Sequence, residues 1–436
     1  MLLCCWNLML RLFVYHALFF ISVLMSQVAL VQAQPAVKNL RFDRLTVEDG
    51  LSQGTINTMM QDKQGFIWLA TEHGVDIYDG YRIRPLPGPD GDFNNFGVYN
   101  LLQDKDGLVW IDVYGKGLYT YHPATDEYQV ISSHKAEDKS NDLNHILEGD
   151  DGKIWLAKVK SVGFYDKDSG QYQEVLDLGS ELTGINKIYQ IHLAGDVLYI
   201  ATRVGVFAYQ VSSKNWRKLP VLPASAHYAS AEAAKVFNLY VSGQNVLYMG
   251  TNDGVFSLDV SKIDKFLSEE AQLPDYRLVL DHVATWHFIE QEGWLYVASN
   301  KGLSRIELDK ERGEFLFGLS DGSQDIKDNS TISLLIDRDG QFWLGSNATG
   351  VYLWDPSREL IENFSYRKGE KQGLSNNEVW HILQDSETPD LSWVATSNGL
   401  NLLDTSSHKI KHFLVNPDTH ESFTQSHIYY MYQDKW

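Results

Sequence analysis

The stretch Thr55 to Gly80, TINTMMQDKQGFIWLATEHGVDIYDG, decides the fold. It divides into short strand-like segments separated by turn chemistry. Ile56 to Gln61 reads as a first strand, Asp62-Lys63-Gln64-Gly65 as a tight turn and Phe66 to Thr71 as a second strand. Glu72-His73-Gly74 turns into Val75 to Tyr78, and Asp79-Gly80 into an outer strand, Tyr81 to Leu86. Asp62 can accept amide hydrogens across its turn and Gly65 can take the positive φ that closes it. No stretch shows helical periodicity.

The pattern recurs. Clear copies start at Gly97, Asp142, Thr331 and Val379, and degenerate ones at Ile188, Val236 and Thr285. An anchor aromatic marks each unit: Trp68, Trp110, Trp155, Tyr199, Tyr248, Tyr296, Trp343 and Trp393, about 46 residues apart. One such four-stranded unit has two apolar faces and needs neighbours on both, which radial closure supplies. The expected fold is all-β, a β-propeller of four-stranded blades. The anchors are read as structural packing between blades, and Asp62, Asp104, Asp151, Asp339 and Asp385 as turn makers. Gly-Leu-Ser stands only at Gly50-Leu51-Ser52 and Gly373-Leu374-Ser375, so the eighth unit reads as a restart. One seven-bladed ring over 36–365 is expected, with 366–436 opening a second, truncated one; a single eight-bladed ring is the alternative. Leu40 to Val47 is expected to pair with the last blade and close the ring.

The 436 residues carry 57 acidic against 37 basic side chains, a net charge of −20, which argues against nucleic acid as a partner. With 12 Trp and 23 Tyr and no low-complexity tract, the chain is not disordered. Both cysteines, Cys4 and Cys5, precede an apolar run from Leu12 to Leu30 and Val31-Gln32-Ala33, so no disulfide framework or cysteine chemistry is available to the body. Residues 1–33 read as a secretory signal or an uncleaved anchor, which places the body in an exported, periplasmic setting.

The string GLSQGTINTMMQDKQGFIWLATEHGVDIYDGYRI, Gly50 to Ile83, resembles the first repeat of the two-component regulator propeller family. The resemblance implies a periplasmic sensor region whose output is a histidine kinase or a diguanylate cyclase, in a receptor that dimerises and is membrane-anchored through its signal anchor or a transmembrane helix. No output motif is present in these 436 residues, so no enzymatic activity, cofactor or metal is expected of them.

Aligned first strands place Asn57, Tyr99, Asn144, Tyr189, Phe237, Trp286 and Trp380 on one rung at the funnel mouth, and Thr58, Asn100, His145, Gln190, Asn238, His287 and His381 on the next. The loops between second and third strands add His73, Lys116, Lys160, Arg203, Asp253, Lys301 and Asn347. Cations beside aromatics suit a small anionic molecule or an oligosaccharide. The candidate ligand-binding residues are Tyr99, His145, Tyr189, Arg203, Trp286, His287, Lys301, Trp380 and His381. The competing readings are an exported propeller enzyme, such as a polysaccharide lyase, and a structural dimerisation platform.

Overall fold

The computed structural model describes residues 42–434 except 92, 134–141, 221, 223–234, 282, 318–329, 358–363, 367–372, 408 and 414–426. The signal segment, with Cys4 and Cys5, lies outside the described residues. The chain divides into two compact units, Met1–Pro356 and Ser357–Trp436.

The described strands form eight four-stranded antiparallel sheets, seven of them in the first unit. Blade 1 consists of Ile56–Gln61, Ile67–Thr71, Gly74–Tyr78 and Ile83–Pro85. Blades 2 to 6 repeat this meander from inner strands Val98–Gln103, Leu143–Glu148, Ile188–Ala194, Val236–Val241 and Thr285–Gln291. Each inner strand packs against the next, and that of blade 7, Thr331–Ile336, returns to that of blade 1, so seven blades close the ring and the eight-bladed alternative falls away. The fourth strand of blade 7 comes from the other end of the chain. Asp43, Arg44 and Leu45 pair antiparallel with Leu353, Tyr352 and Val351, the closure expected for Leu40 to Val47.

Two glycines make room for that closure. A Cβ on Gly54 would lie 2.2 Å from the Ala348 carbonyl oxygen, and one on Gly350, where φ is +91°, 2.1 Å from that of Leu45. With both bare, the Gly350 amide donates to the Gly54 carbonyl at 2.8 Å.

The turn after each inner strand shows why an Asp stands six residues before a Trp. Asp62 Oδ1 accepts the Gln64 and Phe66 amides at 2.9 Å each, and its Oδ2 accepts the Trp68 indole N–H at 2.9 Å. Asp104 does the same for Trp110, and Asp337 for Trp343. The carboxylate thus satisfies a buried indole and a turn at once, and truncating such a Trp costs about 3–5 kcal/mol. Two positions are corrected. In blade 7 the residue that does this is Asp337, not Asp339. In blade 3 the register falls on Gly149, so Asp151 pairs instead with Lys153, and the Trp155 indole N–H is left buried without a partner.

Gly149 lies outside the positive-φ region, and the atoms nearest a Cβ there are the tip of the Asp151 side chain, which can move aside, and the Nε1 and Cδ1 of the Trp155 ring it would serve. Gly149→Asp is therefore expected to stabilise the ring by about 1 kcal/mol, a rise of about 2–4 °C in Tm. A thermal melt that is unchanged or lower rejects that account of the motif.

Among the described residues one short α-helix, Ile263–Leu267, breaks the expected absence of helix; its Ile263, Phe266 and Leu267 fill the core between blades 4 and 5. The second unit carries one sheet, Val379–Gln384, Leu391–Thr396, Gly399–Asp404 and Lys409–Phe413, in which Asp385 Oδ2 accepts the Trp393 indole at 3.2 Å. Gly-Leu-Ser serves a common purpose in both units. Ser52 donates its amide and hydroxyl to buried Asp76 at 2.8 and 2.6 Å, and Ser375 donates its amide to buried Asn401 at 2.9 Å.

Candidate functional site

The ring's inner strands share an irregularity. In all seven, and in Val379–Gln384, the register with the second strand slips at the second residue. The extra residue is Asn57, Tyr99, Asn144, Tyr189, Phe237, Trp286, Ile332 or Trp380. A bulge frees one side chain from the two-faced alternation of a strand and re-aims it. The rung read from the sequence is thus a row of bulged positions.

Three consecutive bulges form an aromatic arc. The Tyr189 and Phe237 rings lie 4.9 Å apart at 66°, and Phe237 and Trp286 lie 5.0 Å apart at 44°. Cations flank one end: Lys187 Nζ sits 5.4 Å from the centre of the Tyr189 ring, and the Arg203 guanidinium lies near enough to that phenol to favour its ionised form. Burial pushes the Tyr189 hydroxyl up, against the pull of Arg203. Lys187 also donates to Asn144 Oδ1 at 3.3 Å, and burial holds its ammonium below the usual lysine range.

Tyr99 stands apart from the arc's ring-to-ring contacts. It is 40% exposed, packs edge-on against Tyr114 at 5.7 Å and donates its hydroxyl to Glu72 at 3.1 Å; burial and Glu72 push that phenol up to about 12. Lys301 is exposed on its loop.

The second rung works between blades. His287 Nδ1 accepts the Leu334 amide of blade 7 at 3.2 Å, Gln190 accepts the Leu239 amide of blade 5 at 2.5 Å, and Asn238 donates to the Trp286 carbonyl of blade 6 at 3.2 Å. His145 has its Nδ1 sealed without a partner. Burial drives the His145 imidazole down to about 3 and His287 to about 4, so both stand neutral. Trp380 and His381 belong to the second unit. There Trp380 donates to Ser397 at 2.8 Å and lies 5.1 Å from Tyr429, while His381 meets Tyr430 at 4.4 Å.

The structure thus joins Tyr189, Arg203 and Trp286 in one group, through Phe237, which the sequence placed on the rung but not among the candidates. It adds Lys187, whose signal was its place just before the inner strand. Among the described residues, no three His, Cys, Asp or Glu converge as metal ligands, and no helix is long and apolar enough to cross a membrane.

Against known proteins, residues 50–73 match the family model described as Two component regulator propeller. The chain carries a two component regulator propeller repeat. Solved structures extend the likeness to the whole fold. The extracellular domain of BT3049 of B. thetaiotaomicron, described as a hybrid two component system, matches with a TM-score of 0.61 at 18% identity, over 85% of this chain and 49% of that one. That of BT4673 of the same organism, described as a one component system, matches at 0.57 and 20%, over 86% and 54%. Virginiamycin B lyase from Staphylococcus aureus matches at 0.52 and 12%, over 72% of this chain and 99% of its own. At these identities the structures speak for the propeller fold alone. Over 173 residues the chain is 23% identical to histidine kinase P4 of Formosa agariphila, covering 38% of this chain and 12% of that protein. The chain therefore spans about half the length of the first of these structures and about an eighth of the curated relative.

Proposed function

We propose that this chain is the extracytoplasmic ligand-sensing region of a signal-transduction receptor, which holds a small molecule or oligosaccharide at the funnel mouth and passes its occupancy to a histidine kinase or diguanylate cyclase. The observation that carries the reading is the arc Tyr189–Phe237–Trp286 with Lys187 and Arg203 beside it. Adjacent rings offer faces to a sugar, and the cations offer charge-assisted bonds to its acidic groups. The likeness to extracellular domains of two component systems and to a histidine kinase supports the receptor setting.

A thermal-shift screen of neutral and acidic oligosaccharides and small carboxylates tests this. A ligand present at 100 times its Kd adds about 2.7 kcal/mol to folding, so a binder shifts the melt visibly. Arg203→Ala and Phe237→Ala are expected to abolish that shift, and Lys301→Ala to weaken it. A binder whose shift survives both of the first two changes rules out the arc as its site.

We also read the second unit as the opening of a second ring. In blade 1 the Lys63 amide donates to Gln103 Oε1 of blade 2 at 2.7 Å; in the second unit the Ser386 amide donates to Gln433 Oε1 at 2.9 Å. Gln433 thus stands where the next blade's inner strand stands in the first ring.

A further inference from the structure

The joints of the ring are tied in two ways. At the turns, a cation just after the Asp reaches into the following blade. Arg338 of blade 7 donates to the Asp62 and Lys63 carbonyls, Lys63 to those of Asp104 and Lys105, and Lys105 to those of Gly149 and Asp150. Along the inner strands, Gln190, Asn238, His287 and Ser333 bond the next blade directly, as Asn57 does from the first rung. Every blade but the third gives the next blade a turn cation, a rung side chain bonded to its backbone, or both.

Blade 3 has neither. Its turn carries Asp150 where Lys63, Lys105 and Arg338 stand, so the relay that runs from blade 7 through 1 and 2 ends there. Its rung side chains leave Asn144 Nδ2 and His145 Nδ1 sealed from solvent without partners, and Trp155 Nε1 is orphaned as well. Among the described residues, the polar ties across this joint include Lys187 to Asn144 Oδ1, the attraction of Lys187 to the Asp142 carboxylate, and the Ile188 amide to the Val159 carbonyl. What remains is apolar packing, with Trp155, Ile188, Ile191 and Leu198 in one cluster.

We propose that the joint between blades 3 and 4 is the seam at which the ring opens. Opening any other joint breaks bonds from side chains to the next blade's backbone, whereas opening this one breaks the Lys187–Asn144 side-chain bond. Here it lets water reach three polar atoms that have none, so hydration offsets part of the lost packing. Because these atoms are sealed, a ligand at the mouth cannot serve them directly; the deficit belongs to the seam. The half-buried Lys187 ammonium, held below its usual range, gains hydration in the same movement.

Hydrogen exchange of the 436-residue chain, read by mass spectrometry peptide by peptide, tests the seam. Peptides covering Ile188–Ala194 are expected to exchange about tenfold faster than those covering Val236–Val241 and Thr331–Ile336, whose Leu239 and Leu334 amides are capped by the preceding blade. Two changes are expected to slow them. His145→Gln gives blade 3 the residue that Gln190 supplies in blade 4, and Asp150→Lys continues the relay of turn cations. Asp150 is exposed, so the second variant does not disturb the core. Equal protection at these three strands, or fast exchange at Ile188–Ala194 that neither variant slows, overturns the proposal.

Discussion

Gly350→Ala is expected to open the ring where its two ends meet, lowering Tm by about 5–10 °C, while Gly80→Ala lowers it by only a few degrees. Both glycines have positive φ, +91° and +95°, so both substitutions pay a left-handed backbone penalty of about 1 kcal/mol. They differ in what the new methyl meets. At Gly80 there is nothing within 4 Å, whereas at Gly350 the Leu45 carbonyl oxygen stands 2.1 Å away. The methyl can be accommodated only by pushing Asp43–Leu45 off Val351–Leu353, which also removes the Arg44 bonds to the Thr349 carbonyl at 3.0 and 2.9 Å. An outer edge is then left unpaired, and the Gly350–Gly54 backbone bond that ties blade 7 to the entry of blade 1 is strained. Equal melts for the two variants would mean that the N-terminal strand adds nothing to closure.

The ring is also expected to lose stability as pH falls from about 6.5 to 4.5. Burial depresses His145 to about 3 and His192 and His287 to about 4. Their unfolded counterparts take up protons near 6.5, so each contributes stability that is present above that pH and is lost below it. Buried carboxylates act the other way. Asp112, raised to about 7 by burial, and Asp76, raised by the same cause, bind protons in the folded state first and favour folding as pH falls. Three histidines outweigh these two groups, and the net loss by pH 4.5 is on the order of 2–4 kcal/mol. The window stops above the range of carboxylates held low by their hydrogen bonds, such as Asp259 and Asp404. Replacing all three histidines by Gln is expected to flatten or reverse the slope in a pH series of melts. Asp112→Asn, which keeps the bond partner of Asn100, is expected to steepen it. A triple variant with the parental slope, or an Asp112→Asn variant with a shallower one, would contradict this assignment of charges.

Much of the fold was legible along the chain because a blade is a local object. Its meander is built from neighbours in sequence, and its turn motif spans seven residues, so Asp62 and Trp68 appear together in the string. Where the motif drifts, reading fails by a residue or two. Asp339 and Asp151 look like the turn carboxylate, but only the indole N–H shows that Asp337 holds that place and that blade 3 has lost it. The short helix Ile263–Leu267 escaped because its apolar face is only one turn long.

The candidate site was legible as a row and not as a group. Strand register placed Tyr189, Phe237 and Trp286 on one rung, yet the bulge that re-aims them depends on pairing with the second strand. Which rung residues touch one another across blades, and which bridge to backbone, depends on distances between strands some 46 residues apart.

The sequence by itself determined the blade, the repeat, the return of Gly-Leu-Ser at Gly373-Leu374-Ser375 and the pairing of a segment holding Asp43–Leu45 with the last blade, because period-two alternation and turn chemistry act within a few residues. Tertiary structure alone decided that blade 7 returns to blade 1, that Lys63, Lys105 and Arg338 link the turns, and that the relay ends at Asp150. Those outcomes depend on carbonyls and amides of the neighbouring blade, whose positions no local pattern encodes.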